Sequence, residues 1–190
     1  MRGRKLGGCL IILVVAVLLL PLHAWAIFGC QLPCLPDDPG NFRGMWWGHH
    51  LSVATDMKLV SSGSNDTGER YYVRRGDILT YGDARLAYVQ YGFWRDIYSS
   101  VSFGTDGLHN WQALKRACFE NFQPWRQPDR RAEKFYWVGK HSAMTLQYDE
   151  ANRIGQLYIY SKAIYERQLA FARGTGSATV SRGFWQRQAP

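Results

Sequence analysis

Two adjacent histidines, His49 and His50, are the first residues here whose types invite a chemical reading. Imidazoles bind metal ions and move protons near neutral pH. Side by side on a strand they point to opposite faces, which prevents joint chelation of one ion. His109 and His141 stand alone, and no pair has the one-turn helical spacing of a zinc protease. With Asp56 or Asp77 brought in by the fold, His49 and His50 define an alternative reading as a metal-dependent or acid–base hydrolase. Asp77 and Asp83 flank Ile78-Leu79-Thr80-Tyr81-Gly82, and two carboxylates can divide acid–base work. Each follows a glycine, however, as turn-forming aspartates do. No serine sits in a Gly-x-Ser-x-Gly elbow, and the glycines at 63, 68, 174 and 176 lack the Lys-Ser/Thr ending of a phosphate loop. The expectation is therefore no catalytic residue, no metal ligand and no cofactor.

The tyrosines carry more. Val89, Leu146, Leu157 and Ile159 alternate with polar neighbours, as residues of half-buried strands do. If these face the core, Tyr88, Tyr158 and Tyr160 lie on the other side of the sheet, and Tyr98 and Tyr136 join them. Arg74, Arg85 or Arg153 would stand near the rim. A tyrosine ring offers a large amphipathic contact at low entropy cost, which suits protein or glycan recognition. These five tyrosines are the candidate binding residues.

The cysteines depend on what happens at the N-terminus. Arg2, Arg4 and Lys5 precede the apolar run Leu10 to Leu20, Pro21 breaks it, and Ala24-Trp25-Ala26 presents small residues for a cut after Ala26. These are the three zones of a secretory signal peptide, and the run falls short of the roughly 20 residues that span a bilayer. Ile27-Phe28-Gly29-Cys30 also resembles a bacterial lipobox, so lipidation at Cys30 and a retained N-terminal anchor stay open beside cleavage. Without residues 1–26, three cysteines remain: Cys30, Cys34 and Cys118. An odd count in an oxidising compartment leaves one thiol unpaired or modified. A lipidated Cys30 leaves Cys34 and Cys118 to pair; otherwise Cys30 and Cys34 can close a small loop.

Loss of the leader lowers the net charge from +8 to about +5. A basic exported chain suits an envelope protein or an anionic surface polymer as partner, with membrane attachment through the N-terminus; nucleic acid is excluded by the compartment.

The elements that must position these residues follow from periodicity and breakers. Residues 27–41, with Pro33, Pro36 and Pro39, read as a tether, 42–173 as one domain, and 174–190 as a Gly/Ser-rich tail. A hairpin runs from Leu86 to Phe103 about Arg95-Asp96, and a second from Ser142 to Tyr160 about Asp149-Glu150-Ala151-Asn152. Short strands are expected at Arg70–Arg74 and Lys134–Val138. Leu108, Trp111, Leu114, Cys118 and Phe122 form one helical stripe over 107–122, with Thr105 or Asp106 as cap. Weaker helices are expected at Ser52–Val60 and Lys162–Ala172. The fold class is α+β: an antiparallel sheet built from two helix–strand–hairpin pseudo-repeats, with the helices packed on one face. Over residues 42–165 this order resembles tandem αβ envelope proteins such as the β-lactamase inhibitor protein and small outer-membrane assembly lipoproteins. The opening Phe42-Arg43-Gly44-Met45-Trp46-Trp47-Gly48 is similar to that of other exported bacterial proteins. The resemblance is topological and implies no functional residues. The function expected is an exported bacterial envelope protein, a non-enzymatic binding or assembly module using an aromatic sheet face.

Overall fold

Alternation of apolar and polar residues is what the sheet is made from. A computed structural model describes residues 38–62 and 68–174. The leader, most of the tether, Cys30, Cys34 and the tail beyond Gly174 lie outside the described residues. Two short strands, β1 (Asn41–Phe42) and β2 (Met45–Trp46), pair with each other. A 3-10 turn at Leu51–Val53 leads to β3 (Met57–Ser62) and β4 (Glu69–Arg74), then a second small hairpin, β5 (Thr80–Tyr81) with β6 (Ala84–Arg85). Next come β7 (Tyr88–Trp94), β8 (Ile97–Asp106), α1 (Gly107–Asn121), β9 (Lys134–Val138), β10 (Ser142–Asp149), β11 (Ile154–Ser161) and α2 (Lys162–Gly174). The main sheet has seven strands in the order β3-β4-β7-β8-β11-β10-β9. Every neighbouring pair in it is antiparallel.

Register turns the alternation into two apolar rows. Val89, Phe103, Leu157, Leu146 and Phe135 are successive cross-strand partners over five strands. Tyr91, Val101, Ile159, Met144 and Trp137 form the next row. All ten side chains are buried and belong to one cluster, and cross-strand pairs of this kind are the unit of sheet stability. We call this side the core face.

α1 covers the core face. Trp111 stacks on Tyr148 at 5.2 Å and 15°, and Leu114 and Cys118 sink fully into the cluster. Asp106 takes the N-cap position as expected, but its side chain makes no capping bond. α2 lies on the opposite face: Tyr165 meets Tyr160 at 5.0 Å, and Phe171 meets Trp94 at 6.2 Å. The expectation of both helices on one face is therefore wrong. Core-face positions of β11 are already filled under α1, so a helix starting directly after Ser161 is left the other side.

Two other expectations change. In place of a helix at Ser52–Val60 there is the 3-10 turn and then edge strand β3, paired along β4. Nine residues cannot nucleate a stable helix by themselves, and an open strand edge offers their backbone partners. The domain also begins before residue 42. The Asp38 carboxylate accepts hydrogen bonds from the backbone N–H groups of His141 and Ser142 and from the Ser142 hydroxyl. Burial alone would raise its pKa, but these donors hold it below the ordinary carboxylate value. Phe42 then stacks on Phe103 at 5.3 Å, and Trp47 on Tyr98 at 4.8 Å, so the opening segment roofs the part of the core face that α1 does not reach. Among the described residues no helix is long and apolar enough to cross a membrane.

α1 sits this close to the sheet because Gly155 has no side chain. A Cβ there would lie 2.6 Å from Trp111 Cε3 and 2.7 Å from Thr105 Oγ1. Gly155→Ala is expected to cost about 1–3 kcal/mol through forced displacement of the indole. Chemical denaturation compared with wild type checks this, and an unchanged midpoint would show that α1 is not tightly seated.

Candidate functional site

On the face away from α1, the same register lays out three rows. The first holds Tyr88, Gly104, Gln156, Gln147 and Lys134; the second Gln90, Ser102, Tyr158, Thr145 and Tyr136. The third holds Tyr71, Gly92, Ser100, Tyr160 and Ala143, ending at Val138. Four of the five expected tyrosines are here: Tyr88, Tyr136, Tyr158 and Tyr160.

Tyr98 is not with them. Gly92 pairs with Ser100, whereas Phe93 pairs with Tyr98, so Ser99 is an extra residue in β8. Such a bulge shifts the alternation by one, and Tyr98 turns to the core face. There it is fully buried among Trp47, Tyr91 and Phe93, its hydroxyl without a hydrogen-bond partner. The expectation that Tyr98 contributes to a binding face is corrected by that one residue.

Cover by α2 then divides the remaining four. Tyr158 is only 7% exposed, is hydrogen-bonded with Ser100 and stacks with Tyr160 at 5.7 Å. Burial raises its pKa well above the ordinary phenol value. Tyr160 is half-buried against Tyr165 of α2. Neither is a free surface residue, and both help to seat the helix. Tyr88 and Tyr136 remain half-buried at the other end of the face. The Tyr88 ring lies over Gly104, its hydroxyl bonded with Gln156, and burial pushes its pKa up to about 12. Gln156 and Gln147 are linked at 3.3 Å, and the Lys134 ammonium lies 5.7 Å from the Tyr136 ring. The result is a half-buried strip of amide, phenol and ammonium groups, rich in donors and acceptors.

Beneath α2 lies a group that no sequence pattern marks. Glu69 is 2% exposed, and its carboxylate accepts hydrogen bonds from Tyr71 at 2.9 Å, Ser99 at 2.9 Å and Ser100 at 3.0 Å. Gln168 of α2 bonds it as well. Burial raises its pKa and outweighs the lowering by these donors. In the sequence Glu69 is one acid at a strand start beside arginine, with the look of a solvated residue.

The other sequence candidates take structural roles. His49 and His50 are exposed, and His50 Nδ1 accepts from the Ser52 N–H as cap of the 3-10 turn. Asp56 pairs with Arg74 at 2.6 Å. Asp77 accepts from Arg43 at 2.6 Å and from the Tyr91 hydroxyl at 2.7 Å, while Asp83 is exposed near Arg116. Asp77 and Asp83 thus do not converge. Among the described residues no three His, Cys, Asp or Glu side chains gather as metal ligands would. Cys118 carries a free thiol in the core, its pKa raised by burial. An open groove of about 460 Å³ runs between α1 and the β10–β11 turn, with the Lys115–Glu133 ion pair and the Trp111–Tyr148 stack along it.

The class defined by this architecture is an α+β domain with an antiparallel sheet between two helices. No protein family, curated protein or solved structure matches the chain.

Because the folded-state pKa of Glu69 lies above the unfolded value, its contribution favours the fold most below the unfolded pKa. That contribution is lost as pH rises through the folded pKa. Glu69→Gln keeps the hydrogen-bonding shape without the titration. Denaturation from pH 4 to pH 8, a span of about four units across the carboxyl range, should show a flatter stability profile in Glu69→Gln than in wild type. Parallel profiles would mean that Glu69 is ionised in both states. Glu69→Ala should lose at least about 2 kcal/mol by stranding several buried donors.

Proposed function

We propose that this chain is an exported bacterial envelope protein whose folded part is a non-enzymatic binding or assembly module. The contact surface is the half of the sheet face outside the cover of α2, with Tyr88 and Tyr136 as aromatic anchors. Gln147, Gln156 and Lys134 supply hydrogen bonds and charge around them. The observation that carries this reading is the division of that face. The positions under α2, at Tyr158, Tyr160 and the Glu69 cage, are closed by aromatic contacts and hydrogen bonds, while Tyr88, Tyr136, Gln147 and Gln156 stay half-buried. An antiparallel sheet commonly leaves one side available in this way. An envelope protein is the favoured partner, an anionic surface polymer the second. A doubled unit is supported by the strands alone, since β4–β7–β8 and β9–β10–β11 are two three-stranded antiparallel stretches meeting at β8 and β11, while the helices that follow them take opposite faces. Export rests on the leader: Arg2, Arg4 and Lys5, the apolar run to Leu20, and Ala24-Trp25-Ala26.

Two measurements test this. A photo-crosslinking side chain at position 147 should give adducts with an envelope component in living cells, and one at His109 on α1 should not. Tyr88→Ser with Tyr136→Ser should reduce the position-147 adducts at least about tenfold, as loss of two aromatic anchors does, with thermal unfolding still cooperative. Equal adducts from both positions, or none from position 147, would remove the face from consideration. Mass spectrometry of the exported protein should find a start after Ala26 or a lipid-modified Cys30; an unprocessed Met1 chain would overturn the leader reading.

A further inference from the structure

At the end of the sheet formed by the β7–β8 turn, two guanidinium groups meet one aromatic pair. The turn is Arg95-Asp96, both in left-handed backbone conformation with φ of 50° and 65°. Positions of that kind favour Gly or Asn, and an arginine held there is strained. Arg95 stands at the tip with its guanidinium 4.2 Å from the Phe171 ring centroid and 5.5 Å from that of Trp94. Arg167, one helical turn before Phe171 on α2, places its guanidinium 5.8 Å from the same Trp94 ring. A guanidinium stacked on an aromatic ring uses its flat face and leaves its N–H edge free for phosphate oxygens. Neither arginine has a carboxylate within ion-pair distance among the described residues, and both are exposed.

The surroundings are mostly of the same sign. Lys140 and His141 are exposed in the β9–β10 turn at this end, and Lys162 begins α2 beside them, its ammonium on the Gly139 carbonyl. Of the nearby carboxylates, Asp96 pairs with Arg70, Asp38 is held by His141 and Ser142, and Glu69 is buried, which leaves exposed Glu166 on α2 as the acid set against these cations. Phe171, 36% exposed, and Val138, 64% exposed, add apolar surface at this end of the sheet. The chain also enters the domain here, since Asp38 is fastened to the β9–β10 turn. Only residues 31–37 separate it from Cys30, the residue that lipidation would fasten to the membrane.

We propose that this end of the domain docks on a bilayer surface bearing anionic phospholipid headgroups. Arg95 and Arg167 contact headgroup phosphates, and Phe171 enters the interfacial layer. The proposal rests on the exported-envelope reading for its location but not on the Tyr88–Tyr136 face. A soluble polyanion would also be drawn by charge, but it would make no use of exposed Phe171 and Val138 or of a chain entry at the same end.

The experiment takes the protein as processed by an exporting host and measures partition onto phosphatidylcholine vesicles with and without phosphatidylglycerol. The neutral vesicles set the baseline for any attached lipid. Wild type should bind the anionic vesicles more strongly, with the excess falling as salt is raised. Arg95→Ala with Arg167→Ala should reduce that excess on the order of 30-fold, from two basic residues at the surface. Arg95→Lys with Arg167→Lys should retain most of it, and circular dichroism should show both variants folded. Equal binding to both vesicle types, or an excess unchanged in the alanine variant, overturns the proposal. So does binding to heparin without binding to anionic vesicles, which assigns the patch to a polymer. Position-147 adducts that persist in the alanine variant would leave the sheet-face reading standing on its own.

Discussion

The extra residue Ser99 in β8 organises more of this molecule than any other single feature. By breaking alternation between Tyr98 and Ser100, it sends Tyr98 into the core against Trp47 and Phe93, while Ser100 stays on the opposite face. The bulged Ser99 hydroxyl, bonded to the Gly92 carbonyl at 3.0 Å, also reaches Glu69. A regular β8 would place Tyr98 where the Glu69 cage now sits, and α2 could not approach. Both layers outside the sheet therefore depend on one irregularity in its central hairpin, as bulges that re-aim side chains commonly do.

The two faces are held by different physics. On the core face, rows of Val, Leu, Ile, Phe and Tyr from five strands meet α1 and the β1–β2 segment, and burial of apolar area supplies the stabilisation. On the other face the central positions are Gly92, Ser100, Ser102 and Thr145, small or polar, with too little apolar surface to seal a helix by themselves. α2 is instead fixed by aromatic contacts at Tyr160 and Trp94, by Ile164 and Ala172 in the interface, and by Gln168 on Glu69. Hydrogen bonds to a buried carboxyl are directional and costly to leave unmade, so they fix where the helix lies. That position decides which tyrosines are covered.

The strands and helices were largely legible because their signals are local. Period-two runs marked β7, β8, β10 and β11, and the stripe Trp111, Leu114, Cys118 marked α1. The segment 52–60 misled because it forms an edge strand whose only support is pairing with β4, a contact between residues far apart in sequence. The candidate surface was half legible. Parity along a strand put Tyr88, Tyr136, Tyr158 and Tyr160 on one face, but parity carries no information about cover, and it fails across a bulge. Glu69 was invisible for a related reason: its partners come from β4, β8 and α2, and nothing near it in the chain announces burial.

By itself, the sequence determined the two long hairpins, α1, α2, the apolar parity of their strands away from the bulge and the basic, aromatic character of the chain, since these depend on residue type and spacing alone. Only the tertiary structure decided on which side α2 packs, that Tyr98 is core, that Asp56 and Asp77 are committed to arginines, and that Arg95 and Arg167 meet over Trp94. Each of those outcomes turns on which distant residues share a face or an end of the sheet. Spacing along the chain does not encode that until the register is set.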